Sequence, residues 1–324
     1  MFIKTTPPIP LETIKHPLFK KKGLTFQILR TDKTDPVISG NKWFKLRHNL
    51  NEAIKQKHHT LDSFGGSYSN HLHALARAGK IYNFNTIGFI RGEEHHPLNP
   101  TLADVTEQGM KLYYINRQTY RSKHKPEVIE QFKKLIAEDD PFAEAESAEK
   151  FYLVPEGGTN RLAVSGASEI ASFIPEDADY ICVPCGTGGT MAGIITGLSS
   201  SRQHTGKVLG FPAMKGGQFL KAHIEELLQT QKIVSAITPW ELYYDWSFGG
   251  FGKINQQLAL FIYEFEQKYQ LELDPVYTAK MMYAIVSMAE MDFFPPGNKI
   301  IAIHTGGLQG RRGMDKKIQS FLAG

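Results

Sequence analysis

Residues 180–193 read Tyr-Ile-Cys-Val-Pro-Cys-Gly-Thr-Gly-Gly-Thr-Met-Ala-Gly. The apolar run Tyr180–Pro184 has the length of a strand. It breaks into a loop of Gly186, Thr187, Gly188 and Gly189, and Thr190–Leu198 then carries a helical pattern. Strand, glycine loop and helix together form the repeating unit of parallel α/β sheets. The glycines let main-chain N–H groups approach an anion closely, and the helix N-terminus adds a favourable dipole. Thr187 and Thr190 add hydroxyl donors, so a phosphate group is the natural guest. A tight turn without a ligand is the plain alternative. Two common phosphate motifs fail on spacing. A dinucleotide fingerprint from Gly186 needs glycine where Met191 stands, and a Walker A loop needs Gly-Lys-Ser/Thr where Ile194 follows Gly193.

The same unit recurs outward from this stretch. Strand candidates are Leu24–Arg30, Leu61–Phe64, Thr86–Arg91, Lys111–Asn116, Phe151–Val154, Lys207–Phe211 and Lys299–His304. Helical patterns are Phe44–Lys57, Asn70–Lys80, Glu127–Ala137, Asn160–Phe173, Gln218–Gln231, Ile254–Gln270 and Thr278–Met291. This alternation predicts an α/β fold with mostly parallel sheet. A TIM barrel is disfavoured by unequal spacing and by polar breaks at Gln118–Lys125 and Glu138–Lys150. The second break reads as the return from one lobe to another.

The chain's 324 residues suggest two domains or one large one. Hydrophobic content of 41% against 22% charged fits a globular protein with a sizeable core. A net charge of +4 without a long basic run speaks against nucleic-acid binding. No stretch approaches about 18 apolar residues, so no membrane span is expected. The Pro-rich start lacks an apolar signal core, and two cysteines fit a reducing cytosol, so a cytoplasmic location is expected.

In open parallel sheets, ligands bind beyond the carboxyl ends of the strands. Two further loops stand there. Ser39-Gly-Asn-Lys-Trp-Phe-Lys-Leu46 puts Lys42 at the mouth of a helix beginning near Phe44. The positive helix end lowers its pKa and favours an amine nucleophile, although a solvated lysine is the simple reading. Phe64-Gly-Gly-Ser-Tyr-Ser-Asn-His71 offers N–H groups and hydroxyls to a carboxylate, or simply a helix cap from Ser69 or Asn70. It is not the GxSxG elbow of hydrolases. Cys182 and Cys185 form C-x-x-C, which reads as a buried strand residue and a loop residue rather than a redox pair. No metal site is evident, because further ligands at known spacing are lacking.

Five motifs, GNK at 40–42, GGxxSN at 65–70, TGGTMAG at 187–193, DPVYTAK at 274–280 and HTGG at 304–307, occur in an order that resembles one family. It is the 1-aminocyclopropane-1-carboxylate deaminase/D-cysteine desulfhydrase family, pyridoxal-phosphate enzymes of the tryptophan-synthase β type (fold type II). The likeness runs from about Lys15 to about Gly307. It implies two α/β lobes, residues 1–50 with 152–324 and an inserted 51–151, with pyridoxal 5'-phosphate between them. It also implies a small amino-acid substrate and a homodimer. By the likeness Lys42, not Lys45, bonds the cofactor, and Thr187, Gly188, Gly189 and Thr190 hold its phosphate. Ser69 faces the substrate and Asn70 the cofactor's phenolic oxygen. Tyr277 faces the substrate, and Thr278 is the partner of the pyridine nitrogen.

Members that open the cyclopropane ring carry Glu at the position of Thr278, and members that split D-cysteine carry Thr. A neutral hydroxyl makes the ring a weaker electron sink, which suits elimination. His71 stands where ring-opening members have Gln. Phe251 stands where the family often has a second tyrosine. The expected reaction is therefore α,β-elimination from a D-amino acid such as D-cysteine, giving pyruvate, ammonia and sulfide. The alternatives are ring-opening deamination, a related lyase, dehydratase or racemase acting on another D-amino acid, and a non-catalytic phosphate-ligand-binding protein.

Overall fold

The computed structural model describes residues 8–35, 38–139, 151–201, 204–233 and 236–323. Its strands are β1 (Leu11–Thr13), β2 (Thr25–Leu29), β3 (Thr60–Gly65), β4 (Asn85–Arg91), β5 (Met110–Ile115), β6 (Phe151–Val154), β7 (Tyr180–Cys185), β8 (Lys207–Pro212), β9 (Trp240–Leu242) and β10 (Lys299–Ile303). The described residues divide into two compact units, the smaller within Asn49–Gly158 and the larger within Thr5–His48 and Thr159–Gly324. The smaller unit runs on to Gly158 because β6 pairs with β3 in its sheet.

The smaller unit is a parallel sheet of order β5-β4-β3-β6. The chain steps outward from β3 to β5 and returns to β3's other side as β6, so the loop after β3 lies at a topological switch point. Its core stacks Phe89 on Phe64 and Phe132, with ring centroids 5.1 and 4.7 Å apart. Phe132 comes from the helix Pro126–Asp139. Most of the polar break Glu138–Lys150 lies outside the described residues.

The larger unit is a six-stranded sheet of order β1-β2-β10-β7-β8-β9, parallel except for the edge strand β1. Strand side chains alternate between its faces. Ile300, Ala302 and Cys182 point toward the helices Gln256–Tyr269 and Thr278–Glu290. Ile301, Ile303, Ile181 and Val183 point toward the helices Arg161–Ser168, Gly189–Ser200 and Phe219–Gln229. Both faces are therefore dry, which is why these strands read as continuous apolar runs. Each fully buried branched side chain contributes about 1.5–3 kcal/mol.

Every expected strand and helix is present, with shifted ends. The helix expected from Phe44 begins at Asn41, so Lys42 lies in its first turn. The Asn160–Phe173 pattern divides into the helix Arg161–Ser168 and a 3-10 segment, Glu169–Phe173. The break Gln118–Lys125 holds most of a short helix, Arg117–Arg121, capped by Asn116 Oδ1 on the Thr119 N–H at 2.9 Å.

Candidate functional site

Three of the five motifs leave the carboxyl ends of three neighbouring strands of the larger unit. The Gly40 loop follows β2, His304–Gly307 follows β10, and the glycine loop follows β7. The first two dock on each other. Gly40 is left-handed, with φ +72°, and a Cβ there would lie 1.9 Å from the Thr305 carbonyl oxygen. The Asn41 N–H donates to that same oxygen at 3.3 Å. His304 is fully buried. Its Nε2–H donates to the Glu272 carbonyl at 2.8 Å, and its Nδ1 accepts from the Gly306 N–H at 3.3 Å. Burial pushes its pKa down, against the pull of Asp32.

Docking places Asn41 and Lys42. Asn41 Nδ2 donates to Thr190 Oγ1 at 2.7 Å, and Lys42 Nζ donates to Asn41 Oδ1 at 3.0 Å. Lys42 is thus held at the glycine loop by its own neighbour. Burial lowers its pKa to about 8, with the Asp274 carboxylate opposing the shift. The dominant cause is loss of water around the amine, not the helix end expected from sequence.

Lys45, one turn further along, is only 2% exposed. Its Nζ donates to Thr159 Oγ1 at 2.8 Å, and Thr159 Oγ1 lies 2.5 Å from Thr187 Oγ1. Burial, then the charge of Lys42, holds its pKa well below the ordinary lysine value. Gly188 takes φ +81° as the cap of the helix Gly189–Ser200, and a Cβ there would meet Ile224 at 2.8 Å. A Cβ on Gly189 would stand 3.1 Å from both Lys45 Nζ and Thr159 Oγ1. The loop is thus a cradle of helix N–H groups with the hydroxyls of Thr159, Thr187 and Thr190 and the Lys45 amine around it. That donor set fits a phosphate.

Sequence reading missed Asn41, Lys45 and Thr159 as members of this site. The signals were present: Lys45 is spaced i+3 from Lys42 on one helix, and Gly-Gly-Thr occurs at 157–159 as it does at 188–190.

The start of the helix Thr278–Glu290 completes this side. Asp274 Oδ1 accepts from the N–H groups of Val276 and Tyr277 at 2.9 and 2.6 Å. Thr278 Oγ1, fully buried, accepts from the Asp274 N–H at 2.8 Å and donates to the Asp274 carbonyl at 3.2 Å. The Tyr277 ring lies over Gly186, where a Cβ would come within 3.0 Å of Cε1. Phe251 meets the Tyr277 ring edge-on at 5.8 Å. Lys42, Thr187–Thr190, Tyr277 and Thr278 all belong to the larger unit.

Ser69 and Asn70 belong to the smaller unit, at its switch point. Ser69 caps the helix Asn70–Tyr82, accepting from the Leu72 N–H at 3.2 Å, and Asn70 is half-buried. His71 is buried, with Nε2 2.8 Å from Ser63 Oγ, whose hydroxyl donates to the Val154 carbonyl at 2.6 Å. The imidazole thus ties helix, β3 and β6 together. Cys182 and Cys185 are free and buried, and burial raises both thiols, Cys185 to about 12. A thiolate, the reactive form, is therefore withheld. Among the described residues there is no group of three or more His, Cys, Asp or Glu able to hold a metal, and no helix long and apolar enough to cross a membrane.

The cradle gives a direct prediction. Gly188→Val forces a left-handed position and a clash with Ile224, whereas Thr190→Val removes one hydroxyl. Cofactor dissociation followed by absorbance should be faster in Gly188→Val than in Thr190→Val. Equal rates would mean that hydroxyls, not main-chain groups, dominate.

The chain is similar to proteins already known. A protein of Pyrococcus furiosus, provisionally named a 1-aminocyclopropane-1-carboxylate deaminase, is 31% identical over 94% of this chain and 91% of its own. The Arabidopsis thaliana protein named bifunctional D-cysteine desulfhydrase/1-aminocyclopropane-1-carboxylate deaminase, mitochondrial, is 28% identical over 89% of this chain and 73% of its own. A crystal structure described as an ACC deaminase homologue superposes with a TM-score of 0.80 at 26% identity, covering 99% of this chain and 96% of that one. The family described as pyridoxal-phosphate dependent enzymes matches residues 3–306, and with the phosphate cradle beside Lys42 this makes the chain a member of that family.

Proposed function

We propose that the chain eliminates a β-substituent from a D-amino acid, converting D-cysteine to pyruvate, ammonia and sulfide. The observation that carries this reading is Thr278, a buried neutral hydroxyl at the start of its helix, where ring-opening members of the family carry a carboxylate. The Arabidopsis relative is named for both activities.

The residues divide the work as follows. Lys45, Thr159 and the 187–190 loop hold the phosphate. When bound, the cofactor supplies an electron sink for the substrate's α-carbon. Thr278 puts a neutral hydroxyl, shared with the Asp274 main chain, where ring-opening members put a carboxylate, so the sink is moderate, and a good leaving group is needed to carry the electrons away. Lys42, with a pKa of about 8, is suited to take the α-proton near neutral pH. The loop before the helix Asn70–Tyr82 presents N–H groups and Ser69 to the substrate carboxylate. Asn70 serves the phenolic oxygen, and Tyr277 faces the substrate. A homodimer and a cytoplasmic location complete the proposal, the first checked by sedimentation and the second by fractionation.

The test is keto-acid release from both substrate types on one preparation. D-Cysteine and β-chloro-D-alanine should give pyruvate, and 1-aminocyclopropane-1-carboxylate, which lacks a leaving group, should give little 2-oxobutanoate. Efficient 2-oxobutanoate release with no pyruvate would replace the elimination reading by ring opening. Thr278→Glu should move activity toward the cyclopropane substrate.

A further inference from the structure

Lys280 is the last residue of the DPVYTAK stretch, and the proposed chemistry does not use it. It is 2% exposed in the first turn of the helix Thr278–Glu290. Its Nζ donates to three main-chain carbonyls: Gly250 at 2.7 Å, Ser247 at 2.8 Å and Ala213 at 3.1 Å. An ammonium has three donors and no acceptor, so three carbonyls satisfy it fully. Ala213 follows β8, and Ser247 and Gly250 lie in the loop after β9. That loop is irregular, with φ of +51° at Phe248, +86° at Gly249 and +121° at Gly250. Turn bonds run within it, from the Gly250 N–H to the Ser247 carbonyl at 3.0 Å and from the Lys253 N–H to the Gly250 carbonyl at 3.1 Å, and Lys280 adds a second donor to each of these oxygens.

We propose that Lys280 acts as a tethered monovalent cation, a positioning residue whose ammonium gathers the loops after β8 and β9 onto the helix that carries Tyr277 and Thr278. A ring of carbonyl oxygens replacing a cation's water shell is how proteins hold potassium-sized ions. Here the ion is covalently attached, so the site cannot be lost by dilution. Burial lowers the Lys280 pKa to about 8, and the Asp274 carboxylate opposes that shift and favours the charged form. The same gathering sets Phe251, the residue after Gly250, against Tyr277, which reaches the substrate on the reading proposed above.

The experiment compares Lys280→Ala with Lys280→Met in the full chain. Lys280→Ala removes the three methylenes and the ammonium, which is the shape of propylammonium. Its thermal midpoint in choline chloride should fall by about 5 °C or more and recover saturably with propylammonium or potassium chloride at constant ionic strength. Lys280→Met fills the channel with apolar atoms and should show the fall without recovery in any salt. The wild-type midpoint should not depend on which cation is present. If Lys280→Ala does not fold in choline chloride, refolding yield in propylammonium chloride replaces the midpoint. A midpoint or yield indifferent to cation identity, or a Lys280→Met protein as stable as wild type, overturns the proposal.

Pyruvate release from D-cysteine is read on the same samples. Its KM should rise in Lys280→Ala and fall back with propylammonium, which bulk destabilisation alone does not produce. A KM that stays raised while the midpoint recovers overturns the link to the substrate side. A wild-type protein inactive on D-cysteine whose Lys280→Ala variant still shows cation-dependent stability would refute the proposed reaction and leave the tethered cation standing.

Discussion

Lys42→Ala is expected to cut pyruvate release by at least about 10³-fold while leaving the fold intact. The side chain is half-buried and donates a hydrogen bond to Asn41 Oδ1, so its removal opens little core. Borohydride reduction of the wild-type holoenzyme followed by peptide mapping should place the pyridoxyl group on Lys42. Lys45 is the rival, three residues away and also poor in water, but its Nζ is engaged by Thr159 at the phosphate side. Lys45→Ala should therefore keep the covalent bond and weaken cofactor retention. A pyridoxyl group found on Lys45 would reverse the two roles. The sign of the pH dependence follows from the lowered pKa. Only the neutral amine attacks a carbonyl, and Lys42 becomes neutral as pH rises through about 8. Cofactor capture by the apoprotein should climb about tenfold per pH unit below that point and level off above it.

Gly40→Ala should be severely destabilising. The added carbon would sit 1.9 Å from the Thr305 oxygen, and main chain cannot rotate away as a side chain can. The position is also left-handed, so two separate costs add to about 3–5 kcal/mol. Thermal unfolding followed by circular dichroism should show a midpoint lower by about 10 °C. Gly306→Ala makes the informative contrast. Its nearest obstacle is Ser39 Oγ at 2.7 Å, a side-chain atom that can turn aside, and its main-chain neighbours are at 3.1 Å or more. Its loss should be smaller. Equal stability of Gly40→Ala and wild type would mean that the two loops do not dock.

Most of the fold was legible because both faces of the central sheet are dry, which turns β7, β8 and β10 into apolar runs that stand out from any surrounding. Strands β1 and β9 escaped notice because they are three-residue edges with no run to see. The helix at Asn41 was placed late because its first turn is polar and its start is set by Gly40 docking on a loop more than two hundred residues away. Its contact with Thr305 is invisible to any local pattern. The candidate site was legible as motifs but not as a network. Asn41 stood in the GNK motif without a role of its own, yet it clasps Thr190. Thr159 belongs to none of the five motifs, yet it joins Lys45 to Thr187. Such links are contacts across the sheet, and only the strand order brings them together.

That strand order has a bearing on how the protein is made. β10 lies between β2 and β7, so two strands made earlier wait for a segment that leaves the ribosome more than a hundred residues after the second of them. Until then their facing edges are open, and open edges of apolar strands pair with whatever comes near. Contacts this distant in sequence also form slowly. The growing chain therefore cannot assemble the Gly40–Thr305 junction, or seat Lys42, before Thr305 has been made. Premature termination just short of residue 299 would leave a product with almost every motif residue present and no means of holding them in register, a natural client for chaperones and proteases.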